Sequence, residues 1–163
     1  MQIIFLPTEI TIVICFILWP VFQFAAAYLC LKINDRFFQH DTFIFRSAAW
    51  EKRGKIYDHL FRIRRWKRFL PDGAALFKNG FQKKHLASLS RDYLAQYLVE
   101  SCRAELGHWL AILPFWVFGF FTPFPVVLYM LAYAIIINLP CILAQRYNRP
   151  RFLEVLNKTK ERV

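Results

Sequence analysis

The polar residues best suited to chemistry lie in or beside the apolar segments of this sequence. Glu105 and His108 are three residues apart, so on a helix they share one face and can touch. A histidine oriented by a carboxylate can act as a general base, while Asn138 and Arg146 carry N–H groups that can stabilise an oxyanion. The four residues therefore indicate group transfer by acid–base catalysis. The alternative is that they only join helices through hydrogen bonds and ion pairs.

A proline-rich turn is the reason to group these residues. The segment 122–125, Thr-Pro-Phe-Pro, is a signal strong enough to end one helix and start another. His108 precedes this turn by about 15 residues and Asn138 follows it by about 15, so at about 1.5 Å per residue each lies ~22 Å from it. We therefore expect the two side chains to face each other at equal depth. The same count puts Arg146 within reach of a carboxylate.

Metal and serine chemistry find little support. Glu105 and His108 have the Glu-x-x-His spacing of one ligand pair in di-iron bundles, but the sequence holds no second such pair. It also lacks a Gly-x-Ser-x-Gly elbow, a His-Glu-x-x-His motif and a glycine-rich phosphate loop. The cysteines have no Cys-x-x-Cys spacing, which argues against disulfides and thiolate sites: Cys15, Cys30, Cys102 and Cys141. We expect no metal and no covalent serine intermediate.

A block of cations runs from Trp50 to Leu70. Its eight Lys and Arg residues are interleaved with apolar residues close to one helical stripe, which is typical of a basic amphipathic helix in a membrane interface. The block can attract anionic lipid, or it can dock a phosphate-bearing donor or an acidic carrier protein. The residues considered for substrate or donor binding are Lys55, Arg64, Lys67, His85, Arg103 and Arg149. Nucleic acid is not an expected partner, because no nucleic-acid fold suits a chain largely embedded in lipid.

The composition places these residues in a small membrane protein. Of the 163 residues 57% are hydrophobic and 18% aromatic, yet 22 Lys and Arg against 11 Asp and Glu give a net charge of +11. A soluble domain of this size still exposes roughly 30% of the surface of its unfolded chain, too much to hide so many apolar residues. The same composition excludes disorder and collagen-like repetition. The sequence predicts a single-domain, basic, all-α integral membrane protein.

Apolar and basic segments alternate along the chain. A first transmembrane helix is predicted over 10–31 and a basic cytosolic or interfacial connection over 32–91. A long helix over 93–121, capped by Asp92, includes a second, short apolar segment. A third transmembrane helix over 126–144 completes a C-terminal hairpin, and a basic tail follows over 145–163. Because the basic segments should face the cytosol, we expect a multi-pass plasma-membrane protein with its N-terminus outside and its C-terminus in the cytosol.

Several of these residues carry a resemblance to a known family. The matching pieces are His85-Leu86, the segment 103–106 followed by His108-Trp109, and Asn138 with Pro140 followed by the run 145–151. Smaller matches occur at Glu51-Lys52, Gly54-Lys55, Trp66-Lys67 and Asp72-Gly73. Over about 34–151 the chain resembles the glycosyl-diaponeurosporenoate acyltransferases, small membrane enzymes that place the final fatty-acyl group on the glucose of the carotenoid staphyloxanthin.

The resemblance implies an O-acyltransferase that acts at the cytosolic membrane face on a lipid-linked sugar, such as a glycosyl carotenoid. Its co-substrate would be an acyl thioester, carried by coenzyme A or by an acidic acyl carrier protein, with no further cofactor. His108 is expected to be the general base and Glu105 its orienting group. The alternative class is a non-enzymatic membrane scaffold for a lipid or carotenoid pathway. The sequence leaves open the donor, the acceptor and whether the chain forms a homo-oligomer.

Overall fold

Helices account for all the regular secondary structure in residues 2–70 and 90–160, the part of the chain that the computed structural model describes. The α-helices are α1 (Thr8–Lys32), α2 (Lys55–Phe61), α3 (Ile63–Trp66), α4 (Arg91–Ile112) and α5 (Phe124–Lys160). Shorter 3-10 helices cover Asp35–Phe37, Ala49–Glu51, Lys67–Phe69 and Leu113–Phe120. The predicted all-α class is confirmed.

Two of the described helices are long and apolar enough to cross a membrane. They are Thr8–Lys32 and Phe124–Thr159, which cover the predicted spans 10–31 and 126–144. Large apolar side chains on both helices are exposed, such as Phe16 on α1 and Ile136 on α5. In water this exposure would be costly, whereas it suits a lipid environment.

The long helix predicted over 93–121 consists of two different helices. It begins at Arg91, two residues earlier than predicted, because Ser90 rather than Asp92 lies before its first turn and accepts a hydrogen bond from the backbone N–H of Tyr93 (3.4 Å). Its α-helical part ends at Ile112, and the chain continues as a 3-10 helix over Leu113–Phe120. Pro114 lies in the first turn of that 3-10 helix, where its missing N–H is tolerated but no α-helical bond can form.

The single amphipathic helix predicted over the basic block is wrong. Residues 49–69 fold as a 3-10 turn, α2, α3 and a second 3-10 turn. The chain changes direction at Lys52, Arg53 and Gly54, which have φ of 48°, 54° and 78°, and again at Arg62, with φ of 51°. Left-handed residues cannot continue a right-handed helix. The eight cations of the block therefore do not share one helix face.

Helix α5 continues well past the predicted end of its span at Ala144. It runs through Pro140 and Pro150 to Lys160, so most of the predicted tail 145–163 is helical. Packing compensates for the hydrogen bonds that the prolines remove. The ring of Phe152 stacks on Tyr97 with 3.7 Å between centroids, and Leu156 packs against Leu94 and Leu98 of α4.

The contacts divide the chain into two units, and α4 and α5 each contribute a segment to both. Unit 1 comprises residues 2–33 and 106–139. Its core is built around Trp19, whose ring lies 5.1 Å from that of Phe118 and 5.2 Å from that of Tyr133 between centroids. The indole N–H of Trp19 donates to the sulfur of Met130 (3.4 Å). An apolar α1 is thus fixed within unit 1 by aromatic packing.

Unit 2 comprises the described residues of 34–105 together with 140–160. One of its apolar clusters joins Leu94 and Leu98 to Leu156, and another joins Tyr57 and Ile63 to Tyr147. The connection also contributes Phe38 and Phe45, which are fully buried. Unit 2 therefore has an apolar core of its own, on which its many charged side chains are arranged.

Candidate functional site

Three polar side chains meet in unit 1. Nδ1 of His108 lies 2.9 Å from Oδ1 of Asn138, and Nε2 of Gln23 donates to the same oxygen at 3.1 Å. Asn138 is fully buried, whereas His108 and Gln23 are partly exposed. The contact joins α4, α5 and α1. The prediction from the proline turn that His108 and Asn138 face each other is therefore confirmed.

The hydrogen bonds of Asn138 determine which nitrogen of His108 carries the proton. The side-chain Nδ2 of Asn138 donates to the backbone carbonyl of Ala134 (2.9 Å), and a carbonyl oxygen can only accept. Rotating the Asn138 amide by half a turn would place Oδ1 against the carbonyl oxygen of Ala134, which are two acceptors. It would also place Nδ2 against Nε2 of Gln23, which are two donors. Oδ1 therefore faces His108, and Nδ1 of His108 must be the donor. In the neutral ring Nε2 then holds the lone pair and can accept a proton.

A second polar cluster, made of charged side chains, lies in unit 2 around Glu105. The carboxylate is fully buried, with Oε1 accepting from Nε of Arg146 (2.6 Å) and Oε2 from Nη2 of Arg149 (2.5 Å). Arg146 also donates through Nη1 to the buried carboxylate of Glu51 (2.7 Å). Two acids and two arginines thus neutralise one another, and such charge-assisted bonds are about twice as strong as neutral ones.

The two arginines also hold the backbone of the connection. Nη2 of Arg146 donates to the carbonyl of Ile44 (3.0 Å), and Nη1 of Arg149 donates to the carbonyl of Phe45 (2.8 Å). Only 4% of the Arg149 side chain is exposed, against 20% for Arg146. This geometry is that of a structural ion-pair cluster, which fastens residues 44–51 to α4 and α5 within unit 2.

The four residues of the predicted catalytic set form two pairs of contacts with different partners. His108 bonds to Asn138, while each oxygen of Glu105 accepts from an arginine. The orienting role predicted for Glu105 therefore has a stronger structural candidate in Asn138. The predicted oxyanion role of Arg146 stays a prediction, and three of its nitrogens already donate to Glu105, Glu51 and Ile44.

The residues considered for donor binding fall into different environments. Arg103 pairs with Glu100 and Asp35 and lies over the ring of Phe38, and Arg149 is buried against Glu105. Lys55 is exposed at the start of α2. His85 lies outside the described residues. Arg64 and Lys67 both contact Tyr147, as described next.

Tyr147, on α5, is the centre of a group of cations in unit 2. Nε of Arg64 donates to its hydroxyl (2.8 Å), Nζ of Lys67 lies 4.9 Å from its ring centroid, and the guanidinium of Arg151 lies 3.5 Å from that centroid. Lys67 also donates to the side chain of Asn148 (2.8 Å). We call Arg64, Lys67 and Arg151 the tyrosine-centred cations. Burial lowers the pKa of Lys67, and the positive charges of Arg151 and Arg64 lower it further.

A glycine allows the backbone to approach Tyr147. At Gly54 the chain has φ of 78°, and a Cβ there would lie 3.1 Å from the carbonyl oxygen of Tyr147 and 3.2 Å from Nη1 of Arg151. Both the left-handed conformation and the close approach favour glycine at this position. The start of α2 is thereby packed against α5.

Sequence reasoning missed three contributors to these clusters. Gln23 is the one strongly polar residue inside the first span, and a lone amide in an apolar helix is a usable signal for an interhelical hydrogen bond. Glu51 and Tyr147 gave no such signal, because their roles depend on how the connection folds against α5. Within residues 2–70 and 90–160, no three His, Cys, Asp or Glu side chains gather in a way that would hold a metal ion.

Comparison with known proteins identifies the family of this chain. Residues 40–158 match the family model of glycosyl-4,4'-diaponeurosporenoate acyltransferase. Proteins of that name from Staphylococcus aureus strains bovine RF122 / ET3-1 and USA300 are each 37% identical over 148 residues, which is 91% of this chain and 89% of the relative. The protein from strain N315 is 37% identical over 149 residues. No solved structure matches the chain. The chain belongs to the glycosyl-4,4'-diaponeurosporenoate acyltransferase family.

Proposed function

We propose that this protein is an O-acyltransferase that esterifies a sugar hydroxyl of a glycosylated carotenoid acid with a fatty-acyl group. The names of its relatives support the acceptor and the acyl transfer. The observation that carries the proposal is the hydrogen bond between Nδ1 of His108 and Oδ1 of Asn138, because it leaves Nε2 as the basic atom in a chain of this family. The acyl donor is a thioester, on coenzyme A or on an acyl carrier protein.

The reaction needs one proton to be moved twice. Nε2 of His108 takes the proton of the sugar hydroxyl as its oxygen attacks the carbonyl carbon of the thioester. The tetrahedral intermediate then breaks its C–S bond, and the departing thiolate receives the proton from His108. An ester and a free thiol result, with no net gain or loss of protons. A general base of this kind contributes typically 10²–10⁴-fold to the rate.

Asn138 and Gln23 are positioning residues in this scheme. The fully buried amide of Asn138 fixes the ring orientation and the tautomer of His108, and Gln23 donates to the same amide oxygen. A neutral hydrogen-bonded group costs far less in an apolar environment than an ion pair that has lost one partner. The base can therefore lie in an apolar environment, which also accommodates an acyl chain and a polyene.

The proposed location is the plasma membrane, with several passes and the reaction at its cytosolic face. Two apolar helices support insertion, and the Lys and Arg residues are concentrated after the first helix and after the last apolar segment. The positive-inside rule then gives an external N-terminus and a cytosolic C-terminus. The membrane lipids are the remaining proposed partners.

Purified protein tests the proposal when supplied with an acyl thioester and the glycosylated carotenoid acid in nanodiscs. Mass spectrometry should detect the acyl ester, and His108→Ala should lower its rate by about 10²–10⁴-fold. The exposed His59 of α2 provides the matched control, since His59→Ala should retain the wild-type rate. Failure of the purified wild-type protein to form an ester with either thioester donor would favour the scaffold alternative, and a fully active His108→Ala would remove the assigned base.

A further inference from the structure

The tyrosine-centred cations form a compact basic site whose charge is only partly neutralised. Arg64 contacts the carboxylate of Asp58 at 3.0 Å, and Asp58 also accepts from the backbone N–H of Arg64 (3.2 Å). Lys67 is bonded to the neutral side chain of Asn148, and Arg151 donates to the backbone carbonyl of Tyr147. Three cations thus face one carboxylate within this group. The other acidic side chains of unit 2 described above pair with arginines outside this group: Glu51 and Glu105 with Arg146 or Arg149, and Glu100 and Asp35 with Arg103.

The three cations lie close enough to act on one another, since the positive charges of Arg151 and Arg64 lower the pKa of Lys67. Tyr147 brings together a guanidinium at its hydroxyl and two cations at its ring, so all three charges lie around one side chain. Such convergence costs free energy through mutual repulsion unless an anion is bound. Among the described residues Arg64 is engaged through Nε, and its two Nη groups form the fork that binds phosphate through two parallel bonds. The Arg64 side chain is 69% exposed, so this fork is accessible.

The remaining cations of the block have a different distribution. Arg62, Arg65 and Arg68 are exposed on the same short stretch of chain but do not contact Tyr147, and Arg68 instead lies over the ring of Phe69. A spread of exposed charges is what a lipid surface or the acidic face of a protein requires. A converging group of three is what a phosphate or diphosphate requires. The described part of unit 2 therefore offers a group of three cations around Tyr147 and a matched set of three cations outside it.

We propose that Arg64, Lys67 and Arg151 bind the phosphate groups of the acyl donor, which is a thioester of a phosphorylated nucleotide carrier such as coenzyme A. This inference rests on the proposed acyl-transfer function for the identity of the donor, but the binding site itself requires no turnover. Tyr147 holds the three cations in register, and Gly54 lets the start of α2 pack beside them. The reactive acyl group is not part of the contact.

The test is equilibrium binding of coenzyme A to the full-length protein in nanodiscs of zwitterionic lipid, measured by titration calorimetry. Replacing all three tyrosine-centred cations with Gln should weaken binding about tenfold to a hundredfold, because each loses a charge-assisted bond. The control triple Arg62→Gln, Arg65→Gln and Arg68→Gln removes the same charge and should weaken binding by less than about threefold. Pantetheine, which has no phosphate, should bind weakly and equally to all three proteins.

Other outcomes would overturn the assignment. Equal weakening in both triples would mean diffuse electrostatic attraction. Loss of flotation with phosphatidylglycerol vesicles, with coenzyme A binding unchanged, would mean that a lipid headgroup is the ligand. Loss of acyl carrier protein binding alone would mean an acidic protein partner. If the triple variant does not fold, Arg64→Gln carries the test with an expected loss of at least about threefold, since this side chain is mostly exposed.

The two proposals fail separately. Tight, phosphate-dependent binding of coenzyme A without any ester product would contradict the proposed acyl transfer and leave the phosphate site standing. Ester formation whose KM for acyl-coenzyme A is unchanged in the tyrosine-centred triple would contradict the phosphate site and leave acyl transfer standing.

Discussion

The two units bury polar groups of different kinds. Unit 1 holds an imidazole and two amides joined by hydrogen bonds, with the Asn138 amide fully buried. Unit 2 holds buried carboxylates paired with arginines that also bind backbone carbonyls. A neutral base retains its lone pair in an apolar setting, whereas a charge there requires a partner. We propose that unit 1 supplies the catalytic base, and that the ion pairs of unit 2 form a charged frame that holds the connection.

The largest effect on stability is expected in unit 2, at Glu105. Glu105→Gln leaves the buried Arg149 without its carboxylate partner, and breaking a buried pair in this way costs about 3–5 kcal/mol. Thermal unfolding in detergent, followed by circular dichroism, should show a sharply lowered midpoint. Replacing Glu105 and Arg149 together by Leu should recover most of the loss, because no unpaired charge remains there. A wild-type midpoint for Glu105→Gln would mean that the cluster does not support the fold.

The charged frame also predicts a loss of stability at high pH. Burial, and next to it the negative charge of Glu51, raise the pKa of Tyr57 to about 12. The unfolded phenol ionises near pH 10, so the neutral form favoured by the fold contributes stability below about pH 10 that is lost as the pH rises to about 12. The expected loss is about 2–3 kcal/mol.

Urea unfolding between pH 9 and pH 12 measures this dependence. Tyr57→Phe should flatten it, while Tyr129→Phe, at an exposed position of unit 1, should leave it unchanged. An undiminished slope in Tyr57→Phe would place its origin elsewhere.

Changes to the neutral cluster should reduce rate more than stability. Asn138→Ala frees the ring of His108 to rotate and to change tautomer, so kcat should fall about tenfold to a hundredfold, part of the contribution of a general base. KM for both substrates should stay within about twofold, because Asn138 is fully buried. Asn157→Ala, at an exposed position on the same helix, is the control. A raised KM with unchanged kcat would indicate that Asn138 binds substrate instead of positioning the base.

The smallest effect concerns backbone packing, and one glycine from each unit makes the comparison. Gly54→Ala introduces a Cβ at φ of 78°, 3.1 Å from the carbonyl of Tyr147, and should destabilise the protein by about 1–2 kcal/mol. Gly119→Ala in unit 1 meets only the Cγ2 of Val127 at 3.5 Å, an ordinary contact, and should change stability by less than about 1 kcal/mol. Equal unfolding midpoints would show that α2 can move away from α5.

The parts of the fold that follow from local pattern could be predicted from sequence. The apolar runs gave α1 and the first half of α5, and counting from the proline turn placed His108 opposite Asn138. The count works because rise per residue depends little on side-chain identity. The same count brought Arg146 to a carboxylate.

The connection between the apolar runs could not be predicted in this way. Periodicity predicts one helix over the basic block. Lys52, Arg53 and Arg62 nevertheless adopt left-handed conformations, which Lys and Arg side chains do not favour and which their types therefore do not predict. The partners of Arg146 and Arg149 include Glu51 and the carbonyl of Phe45, which lie about a hundred residues away in sequence. Long-range ion pairs of this kind are decided by packing rather than by pattern. They also explain why Glu105 bonds to arginines.

The contrast between the two units is tested most directly by measuring activity and unfolding on the same two variants. His108→Ala should retain the wild-type free energy of unfolding to within about 1 kcal/mol. Its rate of acyl-ester formation should fall about 10²–10⁴-fold. Glu105→Gln should lose about 3–5 kcal/mol of stability, and the activity of its folded fraction should stay within about tenfold of wild type. The opposite result would contradict this account: a His108→Ala protein that is unstable but active when folded, beside a stable Glu105→Gln protein that forms no ester.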